Sequence, residues 1–256
     1  MGYSIVRRRY ELDTYNYPFK LVLCIFAKTT RHSLAFKSNL IFYVGALIFI
    51  SISSIIVSLN DHGDVIMWFS DHHTQSLNTF FTTITKIGEE WSYVLLLFIL
   101  LCYKFRYALM VFVLAILVPA ISMSSKKFFG CPRPGRFFRD QGLFDNLDII
   151  EGVVLYTGNS SFPSGHTISA FAVMGFASFV FAKFRWVSSI LIVLSILVAL
   201  SRVYMVQHFL LDVCAGATVG SAIALFTSWI SGKIKSTKAP WIDKNVLNIR
   251  RSSPKV

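Results

Sequence analysis

Six mostly apolar stretches divide the chain, each closed by charge or by a polar cluster. They run Leu40 to Leu59, Trp91 to Tyr103, Tyr107 to Met123, Thr167 to Ala182, Trp186 to Val203 and Phe209 to Ile230. A helix needs about 20 mainly apolar residues to cross a hydrocarbon core about 30 Å thick. The pattern therefore predicts six spanning helices, with five as the alternative. The second run is short; it is expected to extend back through Glu90, or to let Lys104 reach the interface along its aliphatic stem. Pro119 predicts a kink in span three. Leu77 to Ile87 carries apolar residues at helical spacing and fits a lid helix on the membrane surface. Gly216 and Gly220 form a G-x-x-x-G that permits close helix packing, of which dimerisation is one outcome.

Composition agrees with this pattern. Hydrophobic residues make up 54% and charged residues 15%, against about 25% charged in soluble domains. Disorder, collagen-like repeats and coiled coil are excluded, and four Cys in 256 residues are too few for a disulfide scaffold. Cys24, Cys102, Cys131 and Cys214 scatter and read as packing residues.

The formal charge of +12 could signal nucleic acid, anionic lipid or topology. Eighteen of the 25 basic residues fall in 1–38, in the links holding Lys104, Arg106, Lys183 and Arg185, and in the tail from Lys233 onward. By the positive-inside rule that side is cytoplasmic, with both termini inside. Most of the charge thus sets orientation, and no nucleic-acid partner is expected. The expected organisation is a cytoplasmic segment over 1–38, a six-span domain over 39–231 and a basic cytoplasmic tail over 232–256. Leu21 to Ala27 is too short for a signal peptide's apolar core and fits an interfacial helix. Span one would then be an uncleaved anchor.

Three polar clusters at the predicted outer helix ends are not explained by topology. Lys126-Lys127-Phe128-Phe129-Gly130-Cys131-Pro132-Arg133-Pro134 offers a point charge and a guanidinium fork for an anion; a basic interfacial anchor is the plainer alternative. Phe162-Pro163-Ser164-Gly165-His166 stands at the start of span four. A helix N-terminus binds phosphate through free N–H groups and its dipole, and His166 would stand beside that anion; an ordinary cap with an incidental His is the alternative. In Ser201-Arg202 through His208 to Asp212, the His and Asp are at i and i+4, so on a helix they share a face. Asp212 is the one acid near the start of an apolar span, where ionisable groups default to function; a packing pair is the alternative. A carboxylate on one imidazole nitrogen leaves the other free to attack or to accept a proton.

Together the clusters supply cations, a helix N-terminus and two His, one with a carboxylate partner. That is the inventory for phosphoryl transfer through a phosphohistidine. No metal-ligand cluster stands with these His residues in sequence, so no metal or cofactor is expected, and the cations can neutralise charge instead. His62, His72 and His73 read as part of a solvated loop. Asn159-Ser160-Ser161 matches a glycosylation sequon, which matters only in a eukaryotic secretory context.

At these residues the chain resembles the type 2 phosphatidic acid phosphatases, the PAP2 superfamily. That family's signature is K-x6-R-P, then P-S-G-H, then S-R-x5-H-x3-D. It is met here by Lys126 to Arg133-Pro134, by Pro163-Ser164-Gly165-His166, and by Ser201-Arg202 to His208 to Asp212. The resemblance implies an all-α integral membrane fold with a PAP2-type helical core. It implies His208 as nucleophile, Asp212 as its orienting partner and His166 as the acid that protonates the leaving oxygen and later activates water. Lys126, Arg133 and Arg202, with backbone N–H groups near Ser164 and Gly165, would hold the phosphate.

The expected activity is hydrolysis of a lipid phosphate or pyrophosphate at the outer boundary of a bacterial cytoplasmic membrane. Undecaprenyl pyrophosphate, phosphatidylglycerol phosphate, phosphatidic acid and lipid A phosphates are all open as substrates. A lipid phosphotransferase is the nearest alternative, and a non-catalytic lipid-binding or transport protein is the alternative of another class.

Overall fold

The computed structural model describes residues 39–234 and 240–246. The segment 1–38, with its expected interfacial helix and Cys24, and most of the basic tail lie outside the described residues. The described residues are helical, with no strand among them. They form α1 (Leu40–Leu59), α2 (Asp64–Asp71), α3 (Gln75–Ile84), α4 (Trp91–Tyr103), α5 (Phe105–Phe129), α6 (Pro134–Asp140), α7 (Gly165–Val180), α8 (Arg185–Tyr204) and α9 (Leu210–Lys233). A short 3₁₀ turn, Thr85–Gly88, precedes α4.

Each apolar run becomes one helix. By length and composition, α1, the run Phe105–Asp140 that contains α5, α8 and α9 could each cross a membrane, while α4 and α7 are shorter apolar helices. At 1.5 Å per residue α4 spans only about 20 Å. It starts at Trp91 with Glu90 as its cap, and Lys104 beyond its end lies 3.8 Å from Asp243. Large apolar side chains such as Leu47, Ile55, Leu95, Phe98, Ile116 and Trp186 are exposed on the bundle, as on a lipid-facing surface.

Helix α7 is the axis of the fold. Nearly all of its residues are buried, and α9, α8 and α5 pack around it. A helix apolar on every side belongs inside a bundle. One core cluster joins Phe42, Phe49, Phe171, Val203 and Val213 on one flank. A second joins Leu100, Leu114, Ile168 and Phe176 on the other.

The G-x-x-x-G stretch serves α7 within the chain. A Cβ on Gly216 would stand 2.9 Å from the Ser164 carbonyl oxygen, and one on Gly220 only 2.5 Å from that of Ile168 and 2.8 Å from Phe171 Cβ. Backbone cannot retreat as a flexible side chain can. Gly220→Ala is therefore expected to destabilise the fold by about 1–3 kcal/mol, read as a lowered thermal midpoint in detergent. Gly232→Ala, with nothing within 4 Å of its Cβ, should leave the midpoint unchanged or raise it. Equal midpoints for the two variants would contradict this packing argument.

The ends of the bundle differ. At one end Asn39 Oδ1 accepts from the hydroxyls of Ser178 and Ser188. There too Arg106 Nη2 donates to Asp243 Oδ2 at 2.6 Å and Phe105 N to Lys244 O at 3.0 Å, docking 240–246 against the α4–α5 link. At the other end the C-termini of α5 and α8 meet the N-termini of α7 and α9, which gathers all three polar clusters.

Candidate active site

Each motif is shaped by the helix end it occupies. Helix α5 stops at Gly130, whose φ of +57° is left-handed, the usual C-terminal stop. Lys126 and Lys127 fall in its last turn, where cations oppose the negative dipole end. Lys126 reaches toward α7: its Nζ lies 3.5 Å from where a Cβ on Gly165 would stand. Arg133, extended between two prolines, is buried. Its N–H donates to Gly158 O at 2.9 Å, Nε to Ser160 Oγ at 3.3 Å and Nη1 to Gln207 O at 3.4 Å. Its guanidinium also sits 5.0 Å over the Tyr156 ring.

Ser164 caps α7 with extended backbone. Its N–H donates to the Asp212 carbonyl at 3.1 Å, and its hydroxyl accepts from Thr167 Oγ1 at 3.0 Å. The first-turn N–H groups of Gly165, His166 and Thr167 have no intrahelical carbonyl to meet, so they add positive potential beside Lys126.

The link from α8 to α9 is wound around one carbonyl. Gln207 N and His208 N both donate to Arg202 O, at 2.9 and 3.2 Å. Val206 turns the chain with a φ of +57°, a costly conformation for a β-branched residue. This ties His208 rigidly to Arg202. Asp212 then completes three bonds with one oxygen. Its Oδ2 accepts from Phe209 N at 2.9 Å, from the Ser161 hydroxyl and from His208 Nδ1 at 3.3 Å. A proton on Nδ1 leaves Nε2 of His208 as the free base.

Arg202 is 7% exposed. Its Nη1 donates to Thr85 Oγ1 at 2.9 Å, while its Nε has no partner among the described residues. His166 lies across from this group, its Nε2 3.8 Å from Glu89 Oε1.

Burial, reinforced by the charges of Arg202 and Arg133 and opposed by Asp212, pushes the His208 imidazole down to about 4. A lowered value keeps the ring neutral, and so nucleophilic, at every pH above that. The acid limb of kcat/KM, which reports the free enzyme, is expected near pH 4 once the substrate phosphate's own titration is divided out. A limb at pH 6.5 would show that His208 keeps its ordinary value.

The eight residues marked by motif, Lys126, Arg133, Ser164, Gly165, His166, Arg202, His208 and Asp212, all stand at this end of the bundle. Sequence reasoning missed others. Ser161 holds Asp212, Thr85 holds Arg202, Tyr156 covers Arg133 and Glu89 faces His166. Nothing in their spacing marks them, except that Ser160-Ser161 abuts the second motif.

One of the loop histidines corrects an expectation, while His62 and His72 are exposed as expected. His73 is not solvated: its Nε2 is 3.0 Å from Tyr204 O and its Nδ1 3.3 Å from Asp148 Oδ2. His62 lies tilted against Phe209 with ring centroids 3.9 Å apart, and His72 stacks on Trp68. The three therefore point to different places. The stretch read as a lid helix forms α3 and the 3₁₀ turn, both packed on α8.

The sequence profile described as PAP2 superfamily matches residues 104–236, just over half of the chain. The bacitracin transport permease protein BcrC of Bacillus licheniformis is 36% identical over 94 residues, 36% of this chain and 43% of that protein. Lipid phosphate phosphatase 2 of Arabidopsis thaliana is 32% identical over 146 residues, 48% of this chain and 50% of that protein. The chain thus spans half or less of the curated relatives it matches. Among solved structures, Aquifex aeolicus LpxE aligns with a TM-score of 0.54 at 24% identity, covering 68% of this chain and 95% of that one. The first transmembrane PAP2 type phosphatidylglycerolphosphate phosphatase from Bacillus subtilis aligns with a TM-score of 0.52 at 22% identity, covering 86% and 97%. At these identities the two structures speak to the fold.

Proposed function

The chain belongs to the PAP2 superfamily, and from that premise we propose that it is a membrane phosphatase acting on a lipid phosphate or pyrophosphate through a phosphohistidine on His208. The observation that carries the reading is the convergence at one bundle end. A buried His208–Asp212 pair lies beside the buried Arg133 and Arg202, with Lys126 and His166 at the N-terminus of α7. His208 Nε2 attacks phosphorus, and His166 gives its proton to the departing oxygen. The same imidazole then takes a proton from the water that cleaves the phosphorus–nitrogen bond. Lys126, Arg133, Arg202 and the first-turn amides of α7 hold the oxygens that gain charge, so the mechanism calls for no metal ion.

The placement supports a lipid substrate, because a site at helix ends opens where headgroups lie. The basic links and tail, placed inside by the positive-inside rule, would set the site on the periplasmic side of a bacterial inner membrane. One of the curated relatives is named as a lipid phosphate phosphatase. Another is named as a transport permease, but the intact nucleophile, orienting acid and general acid favour turnover here. Undecaprenyl pyrophosphate, phosphatidylglycerol phosphate, phosphatidic acid and lipid A phosphate form the test panel. Purified protein in detergent should release phosphate from at least one of them, with EDTA present. No release from any member would overturn the phosphatase reading, and transfer to an added lipid headgroup in place of release would favour the phosphotransferase.

A further inference from the structure

The three sequence motifs contain no group that answers His166 as Asp212 answers His208. The fold supplies one from outside them. The turn Thr85–Gly88 and Glu89, between α3 and α4, lie across the mouth of the site. Thr85 holds Arg202 through the 2.9 Å bond from Nη1. Gly88 presses on His166: a Cβ there would stand 3.1 Å from His166 O and 3.3 Å from His166 Cβ. The next residue, Glu89, brings its carboxylate to 3.8 Å from His166 Nε2.

Its backbone is pinned on both sides. Glu89 N donates to Lys86 O at 3.1 Å. Glu89 O accepts from Ser92 Oγ at 2.9 Å and from Ser92 N at 3.2 Å. The carboxylate is thus delivered to His166 by a fixed turn.

We infer that Glu89 is a positioning residue for the acid–base step, holding the imidazole of His166 at the mouth of the site and stabilising its protonated form. The inference rests on the phosphatase reading. The groups that face His166 are Lys126 from α5, Arg133 from the α5–α6 link, Arg202 from α8, His208 from the α8–α9 link and Glu89 from the turn. All but Glu89 are cations or bases. A site charged to bind phosphate works against an imidazolium. The step nevertheless needs His166 to arrive protonated, lose that proton to the leaving oxygen and regain one from water. A neighbouring carboxylate offsets the cations without entering the bond changes. Its half-exposed side chain also leaves room for a headgroup to pass.

The test compares kcat across pH 5 to 9 for wild type, Glu89→Gln and Glu89→Asp on one lipid phosphate. Glu89→Gln should move the alkaline limb down by about one unit. Well above the limb that is a loss of about ten-fold, with little loss well below it. Glu89→Asp should keep the limb within a few tenths of a unit. An unchanged limb in Glu89→Gln, whatever the height of its profile, overturns the inference. So does a fall in KM that is uniform with pH, which would mean that the carboxylate merely repels the substrate.

A carbon-13 titration of the His166 imidazole, run with inorganic phosphate and assigned with His166→Gln, reads the same pair without turnover. Its midpoint must fall in Glu89→Gln. Wild-type protein that hydrolyses nothing would sink the phosphatase reading and leave this titration to decide on Glu89. Wild-type turnover with parallel profiles would sink Glu89 alone.

Discussion

His208→Ala is expected to lower kcat by about four orders of magnitude or more, with the protein still folded. In a covalent mechanism the nucleophile is not one contributor among several, because its loss removes the intermediate itself. Single removals of a catalytic nucleophile leave only the rate that binding and charge stabilisation supply. Here that remainder would come from Arg133, Arg202, Lys126 and the N-terminus of α7. The fold should tolerate the change. Asp212 Oδ2 keeps Phe209 N and the Ser161 hydroxyl as donors, so no carboxylate is left buried without partners.

Two measurements check this result. Phosphate release gives the rate. Brief reaction with radiolabelled lipid phosphate, quenched in alkali, should trap a phosphorylated protein whose label is lost in acid, as a phosphorus–nitrogen bond requires. His208→Ala should carry no label. A variant that keeps a tenth of the wild-type rate would remove His208 from the nucleophile's role.

Arg202→Lys should cost about a hundred-fold in kcat/KM, close to 2.7 kcal/mol of transition-state stabilisation. The charge is retained, so the loss tests geometry. Arg202 has its Nη1 committed to Thr85, while its buried Nε is unpartnered among the described residues. A guanidinium anchored on one edge presents its remaining N–H groups as a fixed fork, and a phosphate presents the matching oxygens. A lysine ammonium cannot both occupy Thr85 and reach in that plane. Because Arg202 O also accepts from Gln207 N and His208 N, the main chain holds Arg202 and His208 in one frame, and Arg202→Lys leaves that frame intact. Melting in detergent should therefore be nearly unchanged while kcat/KM falls. A matched loss in melting temperature would mean that the effect is structural, and a loss below five-fold would mean that a point charge suffices.

The residues say why some of this was legible beforehand. The helices followed from run length, since hydrocarbon demands long apolar segments and satisfied backbone. Observed α1 and α4 begin and end where their apolar runs do. The His208–Asp212 contact followed from a four-residue spacing. The common end of the bundle followed from counting alternating helices and placing the basic links opposite.

Glu89 and Thr85 were not legible. They lie 77 and 117 residues from the partners they serve, counting from Glu89 to His166 and from Thr85 to Arg202, in a stretch that carries no motif. Ser161 was hidden for the same reason, 51 residues from Asp212. His73 was misread because its burial comes from Tyr204 and Asp148, which belong to other parts of the chain.

By itself, then, the sequence determined the all-helical membrane-type fold, the residues of the three polar motifs and the bundle end at which they gather. Those properties depend on local periodicity, composition and short spacings, which a single segment carries within itself. Tertiary structure alone decided what secures those residues. It packed Gly216 and Gly220 of α9 against α7 and docked 240–246 beside Arg106. It also set Ser161 on Asp212, Thr85 on Arg202 and Glu89 on His166. Such pairings arise when distant helix ends are brought together by a shared core, and no local pattern records which ends will meet.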